Sequence, residues 1–241
     1  PRPVVEELER LHGAGDRLVV CSGRPYTMID EPLRLPLFDA YVACNGAHVE
    51  VGGQTVFLDR LDPEVGRAAA DLFEGLGCDY MPETAHHVYL DPSFSELYDF
   101  FEPYVAPGFF TREFDRDEVL ERTIKLEANV LERDYRRVVD AIEGRVGFVA
   151  NADQHGTDHA FELYSASISK AVGVAKVLER FGASARDAYG FGDGVNDLQM
   201  IEACGTGVAM GNAEGALKDR ADVVIGSIED DGLAAYLRTL T

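Results

Sequence analysis

The run from Tyr189 to Ala213, YGFGDGVNDLQMIEACGTGVAMGNA, constrains the fold of this chain more than any other stretch. It sets Asp193, Asn196 and Asp197 in a glycine-punctuated loop between a short strand, Ala188 to Phe191, and a helix over Asp197 to Ala203. In an open α/β sheet such a loop lies at the carboxyl end of a strand, where ligands bind. Gly192 and Gly194 permit the tight turn and a close approach of backbone to ligand. Two carboxylates and an amide converge there, all hard oxygen donors suited to Mg2+. A dinucleotide site fits poorly. Gly190 to Val195 and Gly192 to Asp197 both lack the third glycine of G-x-G-x-x-G, and Asp193 would sit against a pyrophosphate. A loop that only caps a helix with Asn196 or Asp197 is the plainer alternative.

The segments on either side alternate strand and helix. VVEELERL at Val4 to Leu11 has helical spacing and stops at Gly13-Ala14-Gly15. RLVVC at Arg17 to Cys21 reads as a strand buried on both faces and opens into Ser22-Gly23-Arg24-Pro25, and AYVAC at Ala40 to Cys44 reads as a second. Lys170 to Phe181 is an amphipathic helix with Gly182 just past its end. Strands follow at Thr206 to Met210 and Asp222 to Ile225, with a short helix at Gly215 to Arg220 between them. Such alternation predicts a doubly wound parallel, Rossmann-like α/β sheet.

Between these parts the style changes. HVEV, QTVFL, HHVYL, TIKLEANV, GFVAN and FELYS alternate in polarity, with helices expected over Glu64 to Leu76, Phe94 to Tyr104 and Arg133 to Glu143. This predicts an inserted α+β module with one solvated sheet face. The expected division is 1–48 and 160–241 for the core and 49–159 for the insertion.

Lys plus Arg number 22 against 43 Asp plus Glu, a formal charge of −21. Such a chain repels nucleic acid and anionic membranes, so an anionic ligand must be held by local cations and backbone amides. No stretch approaches the ~18 apolar residues of a membrane span. Cys21, Cys44, Cys78 and Cys204 form no CxxC pair, which argues against a zinc or disulfide framework and favours a reducing cytoplasm.

GDGVND followed by GVAMGNA resembles the fourth motif and following loop of haloacid dehalogenase superfamily phosphatases, particularly the Cof-type group. Three further pieces match in order: VVCSGRPY at Val19 to Tyr26 as the second motif, CNGA at Cys44 to Ala47, and SISKAVGVAKVLERFG at Ser167 to Gly182 as the third motif. The resemblance covers nearly the whole chain. It implies a magnesium-dependent phosphomonoester hydrolase acting on a small phosphorylated metabolite, such as a sugar or polyol phosphate. It also implies roles for named residues. Ser22, Gly23, Lys170 and Asn196 would bind phosphate, Asp193 would hold Mg2+, and Asp197 would orient Lys170 or a metal-bound water.

The first motif of that superfamily, DxDGT, supplies the nucleophile that forms an aspartyl-phosphate, and no segment here matches it. The chain resembles the family from just after that motif, so the nucleophile is expected upstream of Pro1, and these 241 residues alone are expected to be inert. The insertion resembles a C2B cap, which would read the leaving group; His86, His87, Tyr89, Lys125 and Glu127 are its candidates. DQHGTDH at Asp153 to His159 reads as a returning polar loop or a metal site, the former preferred. A non-catalytic phosphometabolite-binding module and a phosphomutase are the competing functions.

Overall fold

The computed structural model describes residues 2–29, 33, 36–90, 109–152 and 158–240. Helix α1 (Arg2–Ala14) buries Leu11 and ends at Gly15, whose φ of 107° suits glycine. The short strand β1 (Val19–Cys21) follows and pairs in parallel with β2 (Ala40–Ala43). An antiparallel hairpin, β3 (His48–Val51) and β4 (Gln54–Leu58), extends this sheet in the order β1-β2-β3-β4.

Helix α2 (Pro63–Leu76) has both of its ends specified by sequence. The Asp62 carboxylate accepts from the Glu64 amide at 2.8 Å, Pro63 fills the first turn, and Gly77 closes it with φ 70°. The chain then builds a second sheet from β5 (Tyr80–Glu83), β6 (Val88–Tyr89), β7 (Phe110–Thr111), β8 (Lys125–Leu131), β9 (Val146–Ala152) and β10 (Asp158–Ser165), in the order β7-β6-β5-β8-β10-β9. Only β6 and β7 run parallel; the other pairings are antiparallel. Helices α3 (Arg116–Leu120) and α4 (Glu132–Ile142) lie between its strands in sequence. One face of β8 and β10 buries Leu126, Ala128, Val130, Phe161 and Leu163 against Phe73 of α2 and Val138 of α4. That is the alternation expected of a sheet with one covered face.

The parallel style then returns. Ser169 caps α5 (Lys170–Phe181) through Val172 N at 3.4 Å, and Gly182 ends it with φ 64°. A Cβ on Gly173 would lie 2.4 Å from Val42 Cγ1, so a glycine is what lets α5 lie flat on β2. Next come β11 (Tyr189–Gly192), α6 (Leu198–Ala203), β12 (Thr206–Ala209), α7 (Gly215–Lys218), β13 (Val223–Val224) and α8 (Gly232–Leu237). The three strands form a parallel sheet, β11-β12-β13.

Among the described residues β1 pairs only with β2 and β11 only with β12, so the parallel core is two half-sheets rather than one. Between them runs a trough of about 740 Å3, lined by Val19 and Cys21 from β1, Tyr189 and Phe191 from β11, and Leu11 and Val177 from α1 and α5. Val19 and Tyr189 are 36% and 47% exposed, which is unusual for strands placed mid-core. Arg10 of α1 spans to α8, donating to the carbonyls of Leu237 at 2.8 Å and Leu240 at 3.1 Å.

Several sequence expectations meet the structure directly. The helices over 64–76, 133–143 and 170–181 are present within a residue at each end. The helix expected over Phe94 to Tyr104 lies outside the described residues, as does most of DQHGTDH. Sheet pairing runs past the expected limits of the insertion at both ends: residues 49–58 are hydrogen-bonded to the core strand β2 through β3 and β4, and residues 160–165 to the inserted strands β8 and β9. The hydrogen-bonding seams therefore fall near Asp59 and Ser165. Among the described residues no helix is long and apolar enough to cross a membrane, and all four cysteines are free thiols.

Candidate active site

Four chain segments meet where β1, β2 and β11 end, and each is bent there for a local reason. After β1, Ser22 turns back so that its Oγ accepts from Arg24 N at 3.1 Å while its own amide donates to the Val42 carbonyl at 2.8 Å. The Gly23 N–H takes no partner among the described residues and so stays available as a donor. After β2, Cys44, Asn45 and Gly46 all adopt positive φ, at 49°, 54° and 104°. Three such residues in a row are costly for anything but glycine, and conformations of this kind gather at functional sites. The turn is held by Cys44 N donating to the Arg24 carbonyl at 3.0 Å and Asn45 N to the Ser22 carbonyl at 3.2 Å.

Lys170 opens α5 and is buried with Asp197, its Nζ donating to Oδ1 at 2.5 Å. The other carboxylate oxygen of Asp197 accepts from the amides of Asp193 at 3.0 Å and Gly194 at 3.2 Å. Gly192 makes room for this: a Cβ there would stand 2.4 Å from the Asp197 Cβ. Asp197 thus spends its lone pairs on a cation and two amides, which orients Lys170 and folds the glycine-rich loop. Burial pushes the Cys21 thiol up to about 12, with Lys170 pulling it down and Asp197 pushing it up.

Asp193 differs from Asp197. It is exposed, and its carboxylate has only the Asn212 amide, at 3.5 Å, as a side-chain partner among the described residues. An uncommitted carboxylate of this kind suits one coordination position of a hard divalent cation. Among the described residues no group of three His, Cys, Asp or Glu could hold a metal alone. Asp193 fits as one ligand of Mg2+, the remaining positions falling to other oxygens and water.

Asn196 donates from Nδ2 to Asn45 Oδ1 at 3.2 Å, which ties the β11 loop to the turn after β2. Asn45 in turn donates to Glu162 Oε2 at 2.9 Å, and Glu162 belongs to β10 of the inserted sheet. Lys125, from β8, lies 3.3 Å from the same Glu162 oxygen and donates to the Gly23 carbonyl at 3.2 Å. Around Lys125 Nζ also stand Glu83 and Glu127, each at 3.2 Å.

The structure thus brings Ser22, Gly23, Lys170, Asn196 and Asp197 to one corner, with Asp193 at its edge. The candidates for leaving-group reading separate. Lys125 is buried among three glutamates, and Tyr89 is 7% exposed against Phe114, so neither is open to a leaving group. His86 and His87 are exposed, and Glu127 is half-buried. His159 is occupied by Glu132 and packs its ring 4.3 Å from that of Tyr135, as a surface contact. Sequence reasoning missed Asn45, Glu83 and Glu162. For Asn45 the signal was there, since CNG offers a turn; for the glutamates, a charge on an alternating strand reads as solvent-facing.

The sequence profile of haloacid dehalogenase-like hydrolases matches residues 3–237. A Bacillus subtilis (strain 168) protein named as a phosphatase, YkrA, is 54% identical over 72 residues, 30% of this chain and 28% of the relative. Pyridoxal phosphate phosphatase YbhA of Escherichia coli (strain K12) is 46% identical over 69 residues, 29% and 25% of the two chains. The alignments therefore span under a third of either relative. A solved structure described as the subclass IIB sugar phosphatase BT4131 superposes with a TM-score of 0.85 over 99% of this chain and 91% of its own, at 23% identity, a likeness of fold. With the glycine-rich loop, the Lys170–Asp197 pair and the Ser22 turn arranged as above, the chain belongs to the haloacid dehalogenase-like hydrolases, in their Cof-type group.

Proposed function

We propose that this chain is the greater part of a magnesium-dependent phosphomonoester hydrolase that acts on a small phosphorylated metabolite, of the sugar or polyol phosphate kind. The observation that carries the reading is the meeting of a free Gly23 amide, the Ser22 hydroxyl, the Lys170 ammonium and the Asn196 amide at the ends of parallel strands, beside an uncommitted Asp193. Transfer of a phosphoryl group spreads charge over its equatorial oxygens, so catalysis is largely positioning and electrostatic stabilisation. Ser22 and Gly23 would donate to those oxygens, Lys170 would place a compact cation beside them, and Asn196 would donate a further hydrogen bond. Asp197 keeps Lys170 in place. Asp193 would hold Mg2+, which supplies charge neutralisation at the phosphate.

The nucleophile, in this reading, is an aspartate outside these 241 residues that forms an aspartyl-phosphate. The trough between β1 and β11 supports that placement. It is lined mostly by apolar side chains, is bordered by two strand edges, and reaches Cys21, the residue before Ser22. Names of relatives such as YbhA agree with a phosphometabolite substrate. In the proposed division of labour the inserted sheet caps the site, with His86 and His87 as the exposed groups left to meet a leaving group.

A second reading, a module that binds a phosphometabolite without hydrolysing it, draws on the absence of a DxDGT segment from these residues. Hydrolysis of an aryl phosphate and a panel of sugar phosphates by the full-length protein, with Mg2+ and with EDTA, separates the two. The expected result is Mg2+-dependent turnover that EDTA abolishes and that Asp193→Ala reduces on the order of 10²-fold or more. Absence of turnover across the panel from folded protein would move the assignment to the binding module.

A further inference from the structure

Lys125 stands in the inserted sheet, yet its ammonium reaches the phosphate corner of the core. Register explains how. Lys125 of β8 lies directly across from Glu83 of β5, and Glu127 directly across from Glu162 of β10. Lys125 and Glu127, two apart, share one face of β8. Two glutamates opposite each other repel, and one ammonium within 3.3 Å of Glu83, Glu127 and Glu162 offsets that repulsion. Such a cluster is a poor way to gain stability, because desolvating several charges offsets most of their attraction and apolar side chains of the same volume do as well or better. Its outward connections suggest another use. Lys125 Nζ donates to the Gly23 carbonyl at 3.2 Å, and Glu162 accepts from Asn45 at 2.9 Å. Asn45 in turn accepts from Asn196 at 3.2 Å.

The strained backbone points the same way. Asn45 is 1% exposed and sits at φ 54° inside a run of three positive-φ residues. A Cβ on Gly23 would come within 3.0 Å of Asn45 Oδ1 and 3.1 Å of Glu162 Oε2, so the phosphate-facing turn rests directly on these two side chains. Gly46, the last of the three, faces the Ser169 carbonyl at the start of the helix that carries Lys170. One turn therefore touches every segment of the corner.

We infer that Asn45, Glu162 and Lys125 form a positioning relay, through which the seating of the inserted sheet sets the orientation of the Gly23 amide and the Asn196 side chain. None of the three needs to touch the substrate. Lys125 fixes the peptide that follows Gly23 by its carbonyl, and Asn45 fixes Asn196 by the acceptor it offers. Glu162 holds both. Lys125 and Glu162 both belong to the inserted sheet, so any shift of that sheet against the core would move two anchors of the corner. Phosphate affinity and the seating of the inserted sheet are then coupled by these hydrogen bonds. This inference rests on the phosphate-site reading above.

The test uses the full-length protein and four single variants: Asn45→Gly, Asn196→Ala, Glu162→Ala and Glu162→Gln. Glycine tolerates the Asn45 backbone, so that variant deletes the relay while relieving strain. The double variant Asn45→Gly/Asn196→Ala is made as well. Each is assayed for kcat and KM on an aryl phosphate, for the Kd of inorganic phosphate, and for its thermal midpoint. Expected are a loss in kcat/KM on the order of 10–100-fold for Asn45→Gly with little change in midpoint, and a matching weakening of phosphate. Glu162→Ala should resemble it, and Glu162→Gln, which keeps the acceptor for Asn45, should recover most of the loss. Asn45→Gly should add under about threefold in the Asn196→Ala background. Asn45→Gly within about threefold of wild type in both kcat/KM and phosphate Kd, or effects of the two asparagines that simply multiply, would refute the relay while leaving the phosphatase intact. A wild type that binds phosphate without turnover leaves the Kd series to decide. A wild type that does neither refutes the relay and the function together.

Discussion

Substituting alanine for Gly46 should separate two costs that usually travel together, backbone strain and steric collision. Gly46 has φ 104°, and a Cβ there would lie 2.1 Å from the Ser169 carbonyl oxygen, 2.8 Å from its carbon and 3.3 Å from the Gly173 amide nitrogen. All three are backbone atoms at the start of α5 and cannot swing aside as a side-chain tip would. The φ cost alone is about 1–3 kcal/mol. Forcing an extra carbon into packed backbone costs about 1–3 kcal/mol more, so Gly46→Ala should destabilise by about 2–6 kcal/mol. Gly52 supplies the control. It also has positive φ, 57°, but a Cβ there meets nothing within 4 Å, so Gly52→Ala should cost only about 1–2 kcal/mol. With a urea dependence of about 3 kcal/mol per molar, the two variants should differ in midpoint by several tenths of a molar or more. Far-UV circular dichroism on the full-length protein reads this directly. Because the collision falls on Ser169, next to Lys170, Gly46→Ala should also lower phosphate affinity where Gly52→Ala does not. Equal midpoints for the two variants would refute the steric argument, since only the contacts distinguish them.

Two other perturbations probe the inserted sheet. Phe161 is fully buried, with its ring stacked 6.2 Å from Phe148 and tilted 5.5 Å from Tyr135; Phe161→Ala should cost about 3–5 kcal/mol in urea unfolding, and a cost below about 1 kcal/mol would mean that the site collapses around the deletion. Burial, partly countered by Lys125, holds the Glu83 carboxyl well above its usual range. The folded protein therefore binds the extra proton first, and the stability Glu83 contributes is complete below its unfolded value and lost as pH rises through the folded one. Glu83→Gln removes that loss, so its thermal midpoint relative to wild type should climb between pH 5 and pH 8. A flat or falling difference would show that Glu83 is ionised throughout.

Much of this architecture was legible in the sequence wherever a local cause sufficed. Gly182 marks the end of α5 in the sequence as in the structure, because a cap acts on the nearest few backbone groups. The GDGVND loop was legible because its glycines answer to Asp197 only a few residues away. What stayed hidden depends on register. HVEV and QTVFL alternate whichever sheet they join, so nothing local shows that β3 and β4 extend the core rather than open the insertion. The pairing of Lys125 with Glu83 and Glu162 arises from strand order, since the partners lie 42 and 37 residues away. Asn45 shows both sides: its turn is visible in CNG, but its partners Glu162 and Asn196 are 117 and 151 residues distant.

The two half-sheets on either side of the trough also imply an order of assembly. Their closure relies on contacts such as those of Arg10 with Leu237 and Leu240, 227 and 230 residues apart. The entropy of closing such a loop must be met before the contact returns anything. The strands within each half-sheet pair instead with nearer segments, Val19 of β1 with Ala40 of β2 and Tyr189 of β11 with Thr206 of β12, and pairing of nearer segments is quicker. Each half-sheet would then form on its own, and the contacts that join the two would form last. During synthesis, the corner that holds phosphate, which draws Ser22 and Gly23 from one half and Asn196 from the other, would be among the last parts to become ordered.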